Sequence, residues 1–196
     1  MDLSRGEKLV KLAREAISSY FSKKEIKPLK EITKEFEKKS GVFVTILTYP
    51  QKELRGCMGF IFPKSNLYES VQQAARHAAF SDPRFSPIKE QELNQIILEV
   101  SILTEPELIK VSNPNEYPQK IEIGKDGLII ESEPFKGLLL PNVAIEHKWN
   151  TEQFLNHACL KAGLLEETWR EGTCKVYKFQ TEIFKEKVPN GSVIKV

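Results

Sequence analysis

The sequence predicts an α+β fold in which helices pack against a mostly antiparallel or mixed sheet. Two observations lead to this class. Segments with strand character outnumber those with helical periodicity, and several neighbouring strand segments are joined by turns short enough for hairpins. A doubly wound parallel sheet is therefore not expected. The chain has 196 residues, enough for one domain over residues 1–196 or for two small lobes that share a core.

The first third of the chain is predicted to form a helix and a hairpin. Apolar residues recur at helical spacing over residues 3–22, and a linker is expected at 23–30. The β-branched run 42–48 and the run 54–62 flank a polar turn, which indicates two paired strands.

A second helix is predicted to begin after Asn66, because Asn66 with Glu69 three residues later fits a capping box. Its apolar face is rich in alanine, and the proline-containing segment 81–87 ends it. Apolar and polar residues alternate over 96–103, which predicts a further strand.

The second half of the chain is predicted to contain strands and one capped helix. Gly124, Asp126 and Gly127 tolerate a positive φ, which favours a hairpin between 121–123 and 128–130. Asn150 with Gln153 fits a second capping box. The remaining predicted elements are a strand over 138–140, a turn of helix from Pro141, a helix over 150–162 stopped by Gly163, and a strand over 174–184.

Composition and charge limit the classes of protein that are expected. With 29 basic and 27 acidic residues, the net charge of +2 is too balanced to indicate a nucleic-acid partner by bulk charge alone. No apolar run approaches the roughly 20 residues that span a bilayer. Three cysteines without paired spacing favour a reducing, cytoplasmic location. Neither a metal site nor a cofactor is expected, because the sequence lacks paired ligand spacing, a phosphate loop and a dinucleotide fingerprint.

The most informative motif is Leu54-Arg55-Gly56-Cys57-Met58-Gly59, which places a cysteine between two glycines. In a strand, Arg55 and Cys57 face the same way, and a cation near a thiol favours the reactive thiolate. Gly56 and Gly59 leave bare backbone that suits the close approach of a ligand or another chain. The motif is therefore predicted to lie at a functional site.

A polar sheet face is predicted around this motif. If the strands are neighbours, Arg55 and Cys57 share one face with Glu99 and Ser101, and Thr45 can join them. Arg55 and Glu99 are then expected to pair directly or through one water. Such a cluster is either a ligand pocket or a structural ion-pair network, since buried pairs occur in both.

Two roles remain open for Cys57. As a nucleophile or redox group it would be aided by Arg55, with Glu99 moving a proton and His77 as a base that could reach it in space. As a packing group it would be a small buried hydrophobe. Cys57 is expected to be more reactive than Cys159 and Cys174, because Arg55 lies on its face of the strand and two glycines leave it open.

The segment Asp82-Pro83-Arg84-Phe85 is predicted to form the rim of the same pocket. Asp82 ahead of a proline commonly fixes a turn through its own side chain. Arg84 beside Phe85 could hold an anion with its planar guanidinium. The alternative is a simple Asp–Arg pair within the loop.

Seven blocks together resemble the AMMECR family. In family order from about residue 41 to about 184, they are Gly41-Val42-Phe43-Val44-Thr45, Leu54-Arg55-Gly56-Cys57-Met58-Gly59, Ala78-Ala79-Phe80-Ser81-Asp82-Pro83-Arg84-Phe85, Glu99-Val100-Ser101-Ile102-Leu103-Thr104, Ile123-Gly124-Lys125-Asp126-Gly127-Leu128, Leu138-Leu139-Leu140-Pro141 and Lys161-Ala162-Gly163-Leu164. The family's hallmark motif usually has isoleucine where this chain has Met58, an apolar exchange of similar volume. The resemblance implies a two-lobed α+β fold with a cleft lined by residues 54–59. It also implies Memo-type or radical-SAM proteins as candidate partners.

Two functions of different classes follow from these patterns. The first is a ligand-binding module for a nucleotide, a nucleic acid or a protein partner, in which Arg55 and Arg84 contact an anion. The second is an enzyme, or an enzyme subunit, that acts on a small anionic substrate through Cys57. The binding module needs fewer assumptions, because no complete catalytic constellation is visible.

Overall fold

The structure, a computed structural model, describes residues 1–22 and 34–196. The linker predicted at 23–30 lies outside the described residues. The chain divides into two compact units, one of Met1–Ile102 with Glu182–Val196 and one of Leu103–Thr181. Helices accompany two sheets whose assigned strand pairs are antiparallel, so the predicted α+β class is confirmed.

The helices and strands follow the chain in this order. They are α1 (Leu3–Ser22), β1 (Val42–Thr48), β2 (Leu54–Phe60), α2 (Leu67–Phe80), β3 (Ile96–Leu103), β4 (Glu107–Leu108), β5 (Gly127–Ser132), β6 (Phe135–Leu139), α3 (Pro141–Glu146), α4 (Thr151–Lys161), β7 (Lys175–Phe179), β8 (Thr181–Glu186) and β9 (Val193–Lys195). Short 3-10 turns cover Glu90–Gln95, Pro114–Lys120 and Thr168–Glu171.

The first unit is built on a five-stranded sheet of order β2-β1-β3-β8-β9. Alternate residues of β1 and β3 point into one core with the apolar faces of α1 and α2, because side chains on a strand alternate between its two faces. These core residues are Val42, Val44, Ile46, Leu98, Val100 and Ile102. The opposite face carries Thr45, which lies opposite Cys57 on one side and Glu99 on the other. Cys57, Thr45 and Glu99 therefore share one face, as predicted.

Helix α2 sits so close to β2 that only glycine fits between them. Asn66 caps the helix by accepting the backbone N–H of Glu69 at 2.9 Å. Near the other end, a Cβ on Gly56 would overlap the carbonyl oxygen of Ala78. A Cβ on Gly59 would likewise overlap the carbonyl oxygen of Val42. The bare backbone of the motif is thus occupied by the protein's own chain.

The second unit packs α3 and α4 on a four-stranded sheet of order β4-β7-β5-β6. The predicted capping box of α4 is present, with Asn150 and Gln153 each accepting the other's backbone N–H. The indole of Trp169 is fully buried in this core and donates to Oδ1 of Asn156 at 2.6 Å.

The hairpin predicted over 121–130 is wrong. Residues 121–123 are not a strand, because the buried carboxylate of Asp126 accepts the backbone N–H of Glu122 and closes a tight turn. Strand β5 instead pairs with β6, its neighbour beyond the turn at Glu133 and Pro134.

The single strand predicted over 174–184 is also wrong. It is divided at Gln180 into β7 and β8, which belong to different sheets. At the division, Gln180 and Thr104 bond each other, because each backbone N–H donates to an oxygen of the other residue.

Among the helices that the structure describes, none has the length and apolar character required to cross a bilayer.

We expect Gly56→Ala to lower the free energy of unfolding by about 1–3 kcal/mol, the usual cost of overpacking. The added methyl group meets a backbone carbonyl, which has little freedom to move. Met58→Ile, two residues away, is the control and should cost less than about 1.5 kcal/mol. Equal urea midpoints for the two variants would contradict this explanation of the glycine.

Candidate functional site

The backbone of Cys57 is bonded by side chains rather than by a neighbouring strand. Strand β2 is the outer strand of its sheet, so within residues 1–22 and 34–196 one edge of its backbone has no strand beside it. The Cys57 N–H donates to Oδ2 of Asp82 at 2.9 Å, and the Cys57 carbonyl accepts from Nη2 of Arg84 at 3.2 Å. The two side chains of the 82–85 turn therefore supply the acceptor and the donor that another strand would supply.

Asp82 and Arg84 are themselves tightly paired. Nε of Arg84 donates to Oδ1 at 3.0 Å, Nη2 donates to Oδ2 at 2.8 Å, and the Arg84 backbone N–H donates to Oδ1 at 3.1 Å. These bonds, with the one from Cys57, hold the pKa of the Asp82 carboxyl well below its usual range. The side chain of Asp82 is 2% exposed, whereas that of Arg84 is 53% exposed. The pair thus fixes an arginine whose outer edge faces solvent.

Arg55 does not pair with Glu99, so that prediction is wrong. The register between β1 and β2 shifts next to Ile46, which leaves Arg55 without a partner on β1 and breaks the regular alternation of side chains. Its guanidinium instead donates to both carboxylate oxygens of Glu92, at 2.8 and 3.3 Å, and to the carbonyl of Ser86 at 2.9 Å.

The acid that pairs with Arg55 lies in the 3-10 turn Glu90–Gln95. Burial alone would raise the pKa of Glu92, but hydrogen bonds from Arg55 and from the Lys89 backbone outweigh it, and the pKa is lowered. Sequence reasoning missed Glu92 because 37 residues separate it from Arg55.

The two arginines border one open groove of about 570 Å³ in the first unit. Its lining residues are Arg55, Arg84, Phe85, Ser86, Lys89, Gln91 and Glu92. The Arg84 guanidinium lies 5.5 Å from the centre of the Phe85 ring. Three cations and one carboxylate therefore line a space in the size range of small-molecule sites.

A polar row crosses the sheet on the face opposite the core. Oγ1 of Thr45 donates to Sγ of Cys57 at 3.2 Å, and Glu99, on the other side of Thr45, pairs with Lys185 of β8 at 3.4 Å. Ser101 lies two residues along β3 from Glu99 on the same face and is buried. Lys185 was missed because the predicted strand ended at residue 184.

The Cys57 thiol is not activated by its surroundings. Burial raises its pKa, and the carboxylates of Asp82 and Glu99 raise it further, which outweighs the hydrogen bond from Thr45 and the charge of Arg84. The sequence-based expectation that Arg55 would favour the thiolate is therefore wrong. The favourable charge comes from Arg84, not Arg55.

His77 lies on the exposed side of α2, with its ring 5.8 Å from that of Phe60. The groups bonded to Cys57 are instead Thr45, Asp82 and Arg84. Within residues 1–22 and 34–196, no cluster of three or more histidine, cysteine or acidic side chains could hold a metal ion.

The chain is similar to a set of archaeal proteins over its whole length. The AMMECR1 family model matches residues 10–184. Protein MJ0810 of Methanocaldococcus jannaschii is 47% identical over 99% of this chain and 96% of its own length. Protein PF1979 of Pyrococcus furiosus is 50% identical over 96% of this chain and 91% of its own. The crystal structure of PH0010 from Pyrococcus horikoshii matches with a TM-score of 0.88 at 46% identity, covering 100% of this chain and 98% of that one.

We expect Asp82→Asn to lower the free energy of unfolding by about 1.5–3 kcal/mol, because it removes the charge from hydrogen bonds with Arg84 and Cys57. The substitution should also make the free energy of unfolding depend less on pH in the acidic range. An aspartate in the unfolded chain has a pKa of about 3.9. The pKa of Asp82 in the folded protein is lower, so the unfolded chain binds the proton first as the pH falls. The stabilisation that the Asp82 carboxylate supplies is therefore present above the pKa of the unfolded aspartate and is lost as the pH falls below it.

Urea unfolding of both proteins between pH 7 and pH 2.5 measures this effect. The difference in the free energy of unfolding between the two proteins should shrink as the pH falls. Parallel curves would show that the Asp82 carboxylate is not the group that couples stability to pH.

Limited alkylation at neutral pH should label Cys57 before Cys159 and Cys174, because it alone of the three is partly exposed. Since burial raises the pKa of Cys57, the rate should fall below that of a free cysteine peptide. The order and the rate can be read by peptide mass spectrometry. A rate above that of the free peptide would indicate a thiolate and would contradict the electrostatics described above.

Proposed function

The chain belongs to the AMMECR1 family, and we propose that it is a binding protein that holds a small anionic molecule in the groove beside Arg55 and Arg84. The supporting observation is the state of Arg84. Its inner edge is held by the buried carboxylate of Asp82, while its outer edge faces a groove that Lys89 also lines. An arginine fixed in this way loses little side-chain entropy when it binds an oxyanion.

The hallmark motif contributes to this function by position. The Cys57 carbonyl accepts from Arg84, and Gly56 lets α2 approach β2 so that the turn following α2 reaches the edge of the sheet. The motif therefore sets where the guanidinium lies. Arg55 is the residue of the motif that lines the groove, whereas Gly56 and Cys57 act by position.

The alternative, an enzyme with Cys57 as its nucleophile, has less support. The raised pKa keeps the thiol protonated at neutral pH, and Glu99 is paired with Lys185. The thiol accepts a hydrogen bond from Thr45, and Cys57 is not among the residues that line the groove.

We expect Lys89→Gln to weaken binding of simple carboxylates and inorganic phosphate about two- to fivefold, the effect of one exposed charge. The measurement is a titration followed by the backbone amide NMR signals of Phe85 and Ser86. Lys64→Gln is the matched control, because Lys64 is exposed in the same unit and does not line the groove. Equal affinities for the two variants, or no shift at these amides, would overturn the proposal.

A further inference from the structure

We infer that the groove selects a carboxylate with a single negative charge that carries an apolar group, in preference to a phosphate ester or polyphosphate. This inference rests on the proposed function, since it names the class of anion. It depends on the charge of the groove, on its free hydrogen-bond donors and on the ring of Phe85.

The charge of the groove is much smaller than its number of cations suggests. Arg55 is bonded by both oxygens of Glu92, and Arg84 by both oxygens of Asp82. Each arginine is therefore already neutralised by its own carboxylate. Lys89 is left as one positive charge in excess, which balances a monoanion and not a dianion.

The position of Glu92 strengthens this selection. Glu92 lines the groove itself, with a side chain that is 29% exposed, and its lowered pKa keeps it ionised at neutral pH. A second negative charge on the ligand would occupy the same groove as this carboxylate. A like charge at close range disfavours the doubly charged ligand.

The donors that remain are suited to two oxygens. Within the described chain, Nη1 of Arg84 has no hydrogen-bond partner, whereas Nε and Nη2 are engaged by Asp82 and Cys57. Lys89, Ser86 and Gln91, which also line the groove, carry an ammonium, a hydroxyl and an amide. These few donors can satisfy the lone pairs of a carboxylate, whereas a polyphosphate presents several more charged oxygens.

The apolar group of the ligand is assigned to the ring of Phe85. This ring lines the groove next to Arg84, with the guanidinium 5.5 Å from its centre. A molecule whose carboxylate reaches Arg84 can therefore bring an aromatic or aliphatic portion against Phe85. Such contact adds affinity through burial of apolar surface.

The test compares phenylacetate, phenyl phosphate and ATP as probes by titration at pH 8, with the NMR signals of Phe85 and Ser86 as the readout. At this pH a phosphate monoester is mostly a dianion, since its second pKa is about 6. Phenylacetate should bind about three- to fivefold more tightly than either phosphate, an effect of the size expected for one partly exposed charge.

A substitution at Glu92 tests whether its charge sets the preference between the two kinds of anion. Glu92→Gln removes one negative charge from the groove, and it should shift the preference towards phenyl phosphate by about the same factor. Circular dichroism and thermal unfolding verify that the variant is folded. Gln91→Glu is the opposite change at a neighbouring lining position, and it should strengthen the preference for phenylacetate.

The possible results separate the two proposals. Tighter binding of phenyl phosphate or ATP by the unaltered protein, weakened by Lys89→Gln, would overturn the inference about charge and leave the anion groove in place. An unchanged preference in Glu92→Gln would also overturn the inference. No binding of any probe, or binding that Lys89→Gln leaves unaltered, would overturn both.

Discussion

The backbone of Cys57 lies at the open edge of a sheet, and a buried carboxylate supplies the partner that its N–H needs. Asp82 accepts that N–H, and the same carboxylate orients Arg84 so that Arg84 can donate to the Cys57 carbonyl. A buried backbone group without a partner is costly, so this arrangement determines where the 82–85 turn can lie. The position of the groove follows, because Arg84 and Phe85 form part of its wall.

The bonds from Asp82 and Arg84 to the Cys57 backbone change how the role of the motif at residues 54–59 is understood. Gly56 and Gly59 are required by the close approach of Ala78 and Val42 within the same unit. The thiol of Cys57 is half-buried, bonded by Thr45 and protonated at neutral pH. Apart from Arg55, which lines the groove, the motif therefore acts mainly by shaping the edge of the sheet, and the other charged groups of the groove come from the neighbouring turns.

Local signals in the sequence predicted much of the fold, because they depend on residues close in the chain. The capping residues Asn66 and Asn150, the helix 3–22 and the hairpin of β1 and β2 are all present. The break at Gln180 was not predictable, since it depends on bonds to Thr104, 76 residues away.

The candidate site was predicted only where it depends on local patterns in the sequence. Strand alternation correctly placed Cys57 and Glu99 on one face, but a bulge redirected Arg55 to Glu92, a residue that no motif marked. Likewise, the signal Asp82-Pro83-Arg84 indicated a turn, while its bond to the Cys57 backbone depended on the packing of α2 against β2. A single sequence does not predict contacts between distant segments, and it does not predict irregular strand geometry.

Hydrogen exchange of the Cys57 amide tests the central claim most directly, because it reports the bond to Asp82 itself. By strand alternation the amide of Gly59 faces the same open edge of β2 and serves as an internal reference. Native-state exchange measured residue by residue should show the Cys57 amide protected like an interior strand amide and exchanging far more slowly than that of Gly59. Equal, fast exchange at the two positions would show that Asp82 does not complete the sheet edge, and the explanation of the groove would then lose its foundation.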